Sequence, residues 1–153
     1  MKKTSIKFFD KIVVLLLGIG GVFGGNSCTD YGMPYAEYEI KGTVTGNANS
    51  QPIQNIRVIR QRDRLPEYGG DTLYTDSKGK YNVKFTADIY SSNLENTFHL
   101  KFEDIDGEEN GGYFETQEID VTFTKAERTK RGKGQWYEGK FVKTQNVEME
   151  KKE

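Results

Sequence analysis

The chain has 153 residues, with 22 Lys+Arg against 23 Asp+Glu, one His, one Cys, three Pro and 17 Gly. That length suits one domain of ordinary size, and a net charge of −1 argues against a nucleic-acid binder driven by bulk charge. A single cysteine excludes an intramolecular disulfide and any multi-cysteine zinc or iron–sulfur site; a single histidine removes most catalytic triads and imidazole metal sites.

Lys2, Lys3, Lys7 and Lys11 lead into an apolar and glycine run over residues 12–23. A basic segment followed by such a run is the layout of a secretory signal peptide. A transmembrane helix needs roughly 20 apolar residues, and this run stops short. A buried core helix is disfavoured because Gly18, Gly20 and Gly21 would each cost roughly 1 kcal/mol relative to alanine. Gly24, Gly25, Asn26 and Ser27 then precede Cys28. This resembles the lipobox of bacterial lipoproteins, with Gly25 standing where the pattern usually has an aliphatic residue. The resemblance implies removal of residues 1–27, acylation of Cys28, and a lipid bilayer as partner through that cysteine. An unpaired thiol in an exported protein is otherwise a reactive liability. Thr29 follows the cysteine, not the aspartate that resembles an inner-membrane retention signal. The expected location is therefore the cell envelope, at the outer membrane, with its periplasmic and surface faces both open.

Cleavage removes four lysines and Asp10, leaving 18 basic and 22 acidic side chains and a net charge of −4. Residues 28–36, with Gly32 and Pro34, read as a tether reaching about 30 Å at ~3.3 Å per residue. Residues 37–152 read as the folded domain.

From Glu37 onward the apolar residues recur with period two, as in strands with one buried face. Tyr38, Ile40 and Val44 form the first such set, and Ile56 and Val58 the second. Leu73 marks a short strand over 71–75, followed by Tyr81, Val83 and Phe85, then Phe98, Leu100 and Phe102. Ile119, Val121 and Phe123 come next, and Tyr137, Phe141, Val147 and Met149 share one parity near the end. Gly46-Asn47, Ser77-Lys78-Gly79, Asp106-Gly107 and Asn110-Gly111-Gly112 supply turns between them. The prediction is an all-β, seven-stranded sandwich, with residues 124–130 as the best helical candidate.

Gly42-Thr43-Val44, Pro52-Ile53-Gln54-Asn55-Ile56-Arg57-Val58 and Thr75-Asp76-Ser77-Lys78-Gly79-Lys80-Tyr81 together resemble the carboxypeptidase regulatory-like domain. The resemblance implies a sandwich of transthyretin-like or immunoglobulin-like type. In physical terms Gly42 permits close strand packing, Pro52 rigidifies a turn, Asp76 accepts from backbone amides and Gly79 takes a positive φ. A second resemblance spans most of the chain after Cys28. Tyr31-Gly32-Met33-Pro34-Tyr35-Ala36, residues 71–76 and Trp136-Tyr137-Glu138-Gly139-Lys140 are similar to the Bacteroidales radical SAM-associated lipoproteins. This implies association with a radical SAM enzyme, not radical chemistry here, since such an enzyme needs three thiolates for its cluster.

In the acidic stretch 103–115, Asp104, Asp106, Glu108, Asn110 and Glu115 fall at positions 1, 3, 5, 7 and 12 of a calcium-loop pattern. The sixth position is Glu109 in place of the required glycine, and strands flank the stretch instead of helices. An acidic hairpin loop is the competing reading. Calcium is the one candidate cofactor. Asp71-Thr72-Leu73 resembles a Bacteroides O-glycosylation acceptor, making Thr72 a candidate modification site. Lys125, Arg128, Lys130, Arg131 and Lys133 make a basic segment suited to lipid phosphates or an acidic partner, or simply to solvent. His99 falls on the polar parity of its strand, where an exposed side chain is expected, and Tyr31, Tyr35, Tyr68, Tyr74, Tyr113, Trp136 and Tyr137 divide between core packing and a binding face. No catalytic residues emerge. These observations point to a lipid-anchored, non-catalytic binding or structural module of the cell envelope. The alternative is a substrate or accessory of a radical SAM peptide-modifying enzyme, and an envelope protein or that enzyme is the partner anticipated.

Overall fold

The computed structural model describes residues 32–61 and 71–152. Cys28 and the signal segment lie outside the described residues. Nine strands are present among those described: β1 (Tyr35–Gly46), β2 (Arg57–Gln61), β3 (Asp71–Tyr74), β4 (Lys80–Asp88), β5 (Asn96–Glu103), β6 (Gln117–Phe123), β7 (Arg128–Arg131), β8 (Tyr137–Thr144) and β9 (Val147–Met149). One sheet has the order β4-β1-β8-β7, with β9 continuing beside β1; the other has the order β3-β2-β5-β6. The all-β sandwich expected from period-two patterning is what forms.

Each alternating run becomes a strand, and the last divides in two. β8 pairs with β1 in parallel from Tyr35 to Lys41, and β9 pairs with the same edge from Val44 to Gly46. Between them Gln145 donates its N–H to Lys41 O at 2.8 Å and accepts the Tyr81 hydroxyl at 2.6 Å. The chain crosses there directly over Gly42, where a Cβ would lie 1.8 Å from Gln145 O. Gly42 therefore has the close-packing role its position suggested.

The helical candidate at 124–130 shortens to one 3-10 turn, Lys125–Glu127, capped reciprocally by Thr124 and Glu127. Arg128 is already extended, and β7 pairs with β8. Residues 128–131 use their backbone groups in the ladder with β8 instead of a helix, and just beyond them Gly132 lies so close that a Cβ there would meet Tyr137 O at 1.7 Å.

The inward faces share one core. Tyr38 packs its ring against Phe85, Phe98, Phe123 and Phe141 at centroid distances from 4.7 to 5.6 Å. Ile40, Val58, Leu100, Phe102 and Met149 are buried around it. Burial of a side chain of this size contributes about 1.5–3 kcal/mol, so the core residues account for the sandwich without any covalent staple.

The domain begins earlier than the alternation suggested. β1 starts at Tyr35, Pro34 O accepts from Ile89 N at 2.6 Å, and Gly32 packs against the Trp136 indole. The apolar alternation could not show this, because residues 32–34 are held by a backbone bond at Pro34 and by close packing of Gly32 on the Trp136 ring.

Candidate binding cleft and acidic loop

The turn that carries the carboxypeptidase regulatory-like resemblance has the geometry anticipated for it. Asp76 Oδ1 accepts from Lys78 N at 2.8 Å and Lys80 N at 2.9 Å, and Gly79 has φ +67°. Those two backbone bonds hold the Asp76 carboxyl below its usual range. Pro52 bridges to Thr45, fixing the return of the chain onto β1.

An open cleft of about 610 Å³ lies where β4 ends and β5 begins, within the usual size of small-ligand sites. Arg60 forms one wall. It continues the inward parity of Ile56 and Val58, so its guanidinium is carried between the sheets, where the residue is only 6% exposed. Its Nε and Nη2 donate to Asp71 Oδ2 at 2.9 and 2.6 Å, and its plane lies 4.1 Å from the Phe85 ring centre. A buried guanidinium held by a carboxylate and an aromatic face is compensated and positioned. His99, the register partner of Gln61 on the neighbouring strand β5, also lines the cleft. Its Nδ1 is 2.8 Å from Asp120 Oδ1, its register partner on β6, and its Nε2 is 3.2 Å from Glu118 Oε2.

Period-two parity put His99 on the polar face but could not identify its neighbours, because cross-strand partners depend on register. The signal for Arg60 was present in the Ile56-Val58-Arg60 spacing. Both nitrogens of His99 face carboxylates, which leaves no ring nitrogen directed at a nucleophile, and general-base chemistry needs one. The arrangement is a polar recess in which acidic side chains, Asp88 and Asp120 among them, outnumber the one guanidinium.

The acidic loop brings together only part of the candidate calcium set. Asp104 Oδ1 accepts from Asp106 N at 3.1 Å and Gly107 N at 3.2 Å, while its Oδ2 accepts from Phe114 N at 2.9 Å. Asp106 Oδ2 accepts from Asn55 Nδ2 at 2.8 Å and also from Asn110 Nδ2. The side-chain bonds from Asn55 and Asn110 outweigh partial burial and hold Asp106 below the usual carboxylate range. Glu108 and Glu115 are exposed, and Glu115 N donates to Glu150 O at 2.8 Å. Among the described residues no group of three or more acidic, histidine or cysteine side chains is arranged to hold a metal ion. Asp104 closes the loop on its own backbone amides, and Asp106 ties it to Asn55.

Thr72 lies exposed in β3, at the edge of the second sheet. Lys130, Arg131 and Lys133 are exposed in and beyond β7, while Arg128 bonds Glu138 at 3.3 Å. Among the described residues no helix is long and apolar enough to cross a membrane.

No family model matches the chain, and no curated protein matches it. Among solved structures the chain is similar to the crystal structure of BcpA, the major pilin subunit of Bacillus cereus, at 12% identity and a TM-score of 0.49. The match covers 76% of this chain but 31% of the pilin chain.

Proposed function

We propose that the protein is a lipoprotein of the cell envelope, anchored through acylated Cys28, whose β-sandwich serves as a non-catalytic binding or structural module. The observation that carries this reading is the placement of the only cysteine. It follows a basic segment, an apolar run and small residues, and four residues later the folded domain begins. The cleft beside Arg60 and His99 supports binding over catalysis, because Arg60 is held by Asp71 and both His99 nitrogens are taken up by carboxylates.

Intact-mass spectrometry of the protein purified from its own host tests the anchor. The expected species begins at Cys28 and carries acyl mass on that residue. A mature chain with a free, unacylated Cys28 overturns the reading. Additional crosslink or other modification mass elsewhere favours the alternative in which the domain is the substrate of a radical SAM peptide-modifying enzyme, whereas hexose-sized mass confined to Thr72 marks O-glycosylation at that site.

A further inference from the structure

The two ends of the sandwich differ in chemistry. At the end where β1 begins, Met33, Tyr35 and Tyr90 are exposed at 45%, 39% and 79%. Trp136 packs on Gly32, Tyr35 N donates to Trp136 O at 2.9 Å, and the Tyr35 and Tyr137 rings lie 5.5 Å apart. The β7–β8 hairpin turns at this same end, since Arg131 is the register partner of Gly139 and Tyr137 that of Tyr35. It carries Lys130, Arg131 and Lys133, which form no ion pair among the described residues, whereas neighbouring Arg128 is paired with Glu138. The acids of this end are Glu37, which pairs in register with Lys140 of β8 and bonds Tyr137, Glu138, which is taken up by Arg128, and Asp88 and Glu95 around the β4–β5 turn; none of them pairs with Lys130, Arg131 or Lys133. The opposite end, beyond Gly46, carries the acidic loop 103–115, joined there through Glu115 and Glu150. The 12 residues of β1 separate the two ends by about 35 Å.

We propose that the β1-start end of the domain docks on an anionic phospholipid surface, with Trp136 and the surrounding tyrosines at headgroup depth and Lys130, Arg131 and Lys133 on lipid phosphates. This rests on the Cys28 anchor reading and goes beyond it, because the folded domain itself then contacts the bilayer. Tryptophan and tyrosine favour the headgroup layer, where an apolar ring and a polar edge are both satisfied. Basic residues gain from the negative surface potential there. The net charge of −4 for the chain from Cys28 gives no reason for the domain to approach such a surface; its uneven distribution does. Only four peptide steps separate Cys28 from Gly32, a reach of at most about 15 Å. An acyl chain on Cys28 therefore brings this end, and not the acidic one, to the headgroups. A lipid chain combined with a basic patch is also the pairing that makes membrane attachment stable.

Trp136 is the only tryptophan and Cys28 the only thiol, so the chain carries its own probe and its own attachment point. The chain from Cys28 to its end, coupled through that thiol to a maleimide lipid, is placed in vesicles of phosphatidylcholine alone or with phosphatidylglycerol. Coupling supplies the tether whether or not the host acylates Cys28, so this measurement and the intact-mass test fail independently. Expected are a blue shift of Trp136 emission and quenching by brominated lipid in the phosphatidylglycerol vesicles, both weaker in phosphatidylcholine. Replacing Lys130, Arg131 and Lys133 together by glutamine lowers the docked-to-undocked ratio by about fivefold per side chain at low salt. Tyr90→Ser, at a highly exposed site, weakens quenching with an unchanged melting temperature. Emission in both vesicle types identical to that of the uncoupled chain overturns the proposal and leaves this end to a protein partner.

Discussion

Gly42 shows how a single residue sets the path of two strands. Its methylene-sized space is filled by Gln145 O, and the Tyr81 hydroxyl bonds that same carbonyl. Burial pushes the Tyr81 phenol well above its ordinary value, in keeping with a neutral donor at this position. Gly42→Ala must move backbone, not a flexible side-chain end. The expected cost is about 3 kcal/mol or more, at or above the top of the usual overpacking range, because the neighbour is rigid backbone. Gly107→Ala is the contrast, because it has φ +68° but nothing within 4 Å of the added carbon. That substitution should cost only about 1 kcal/mol, the ordinary price of a left-handed residue. Urea denaturation of the two variants checks the difference, and equal midpoints would refute the crowding argument.

At the scale of elements, β1 is the organising strand, since it pairs with β4, β8 and β9. Its outward Glu39 is nonetheless only 8% exposed, held by Lys140 Nζ at 2.6 Å and Asn82 Nδ2 at 3.0 Å across both neighbouring strands. The Lys140 bond is the main reason the Glu39 carboxyl lies below its usual range. A depressed folded value means that the stabilisation is fully present above the unfolded pKa near 4.3 and is lost as pH falls through the folded value. Glu39→Gln should therefore melt below the parent at pH 7, by the equivalent of about 1–2 kcal/mol. The gap should close as pH drops below about 4; a gap independent of pH between 7 and 3 would show that the charge has no part in it. The positions of seven runs were legible in the sequence because each has one apolar face, as Phe98, Leu100 and Phe102 do. β7 was not, because Arg-Thr-Lys-Arg has no apolar side chain and is a strand only through its bonds to β8. Register was illegible for a similar reason, which is why the approach of Asp120 and Glu118 to His99 could not be anticipated. The roles of Gly42, Asp76 and Gly79 were legible because each is local to one turn or one close approach.

For the whole molecule, the polarity of the two ends depends on the sandwich remaining closed where the chain finishes. β9 covers the end of β1, with Val147 at 3% and Met149 at 0% exposure. Beyond it Glu150 O accepts from Glu115 N, Lys151 bridges Phe114, and Lys152 N donates to Tyr113 O. The acidic loop is thus held to the first strand through the last residues of the chain. Deleting residues 147–153 removes two buried side chains, each contributing about 1.5–3 kcal/mol, and exposes Phe114 and the edge of β1. Against a total stability of about 5–15 kcal/mol for a domain, that loss leaves little margin. The truncated chain should lose its cooperative melting transition, whereas Met149→Ala alone should keep one at a lower temperature, at a cost of about 2–5 kcal/mol. Differential scanning calorimetry separates the outcomes. A truncated chain melting as cooperatively as the parent would mean that β9 is an appendage, and that the acidic loop is held by Asp104 and Asp106 without help from the last strand.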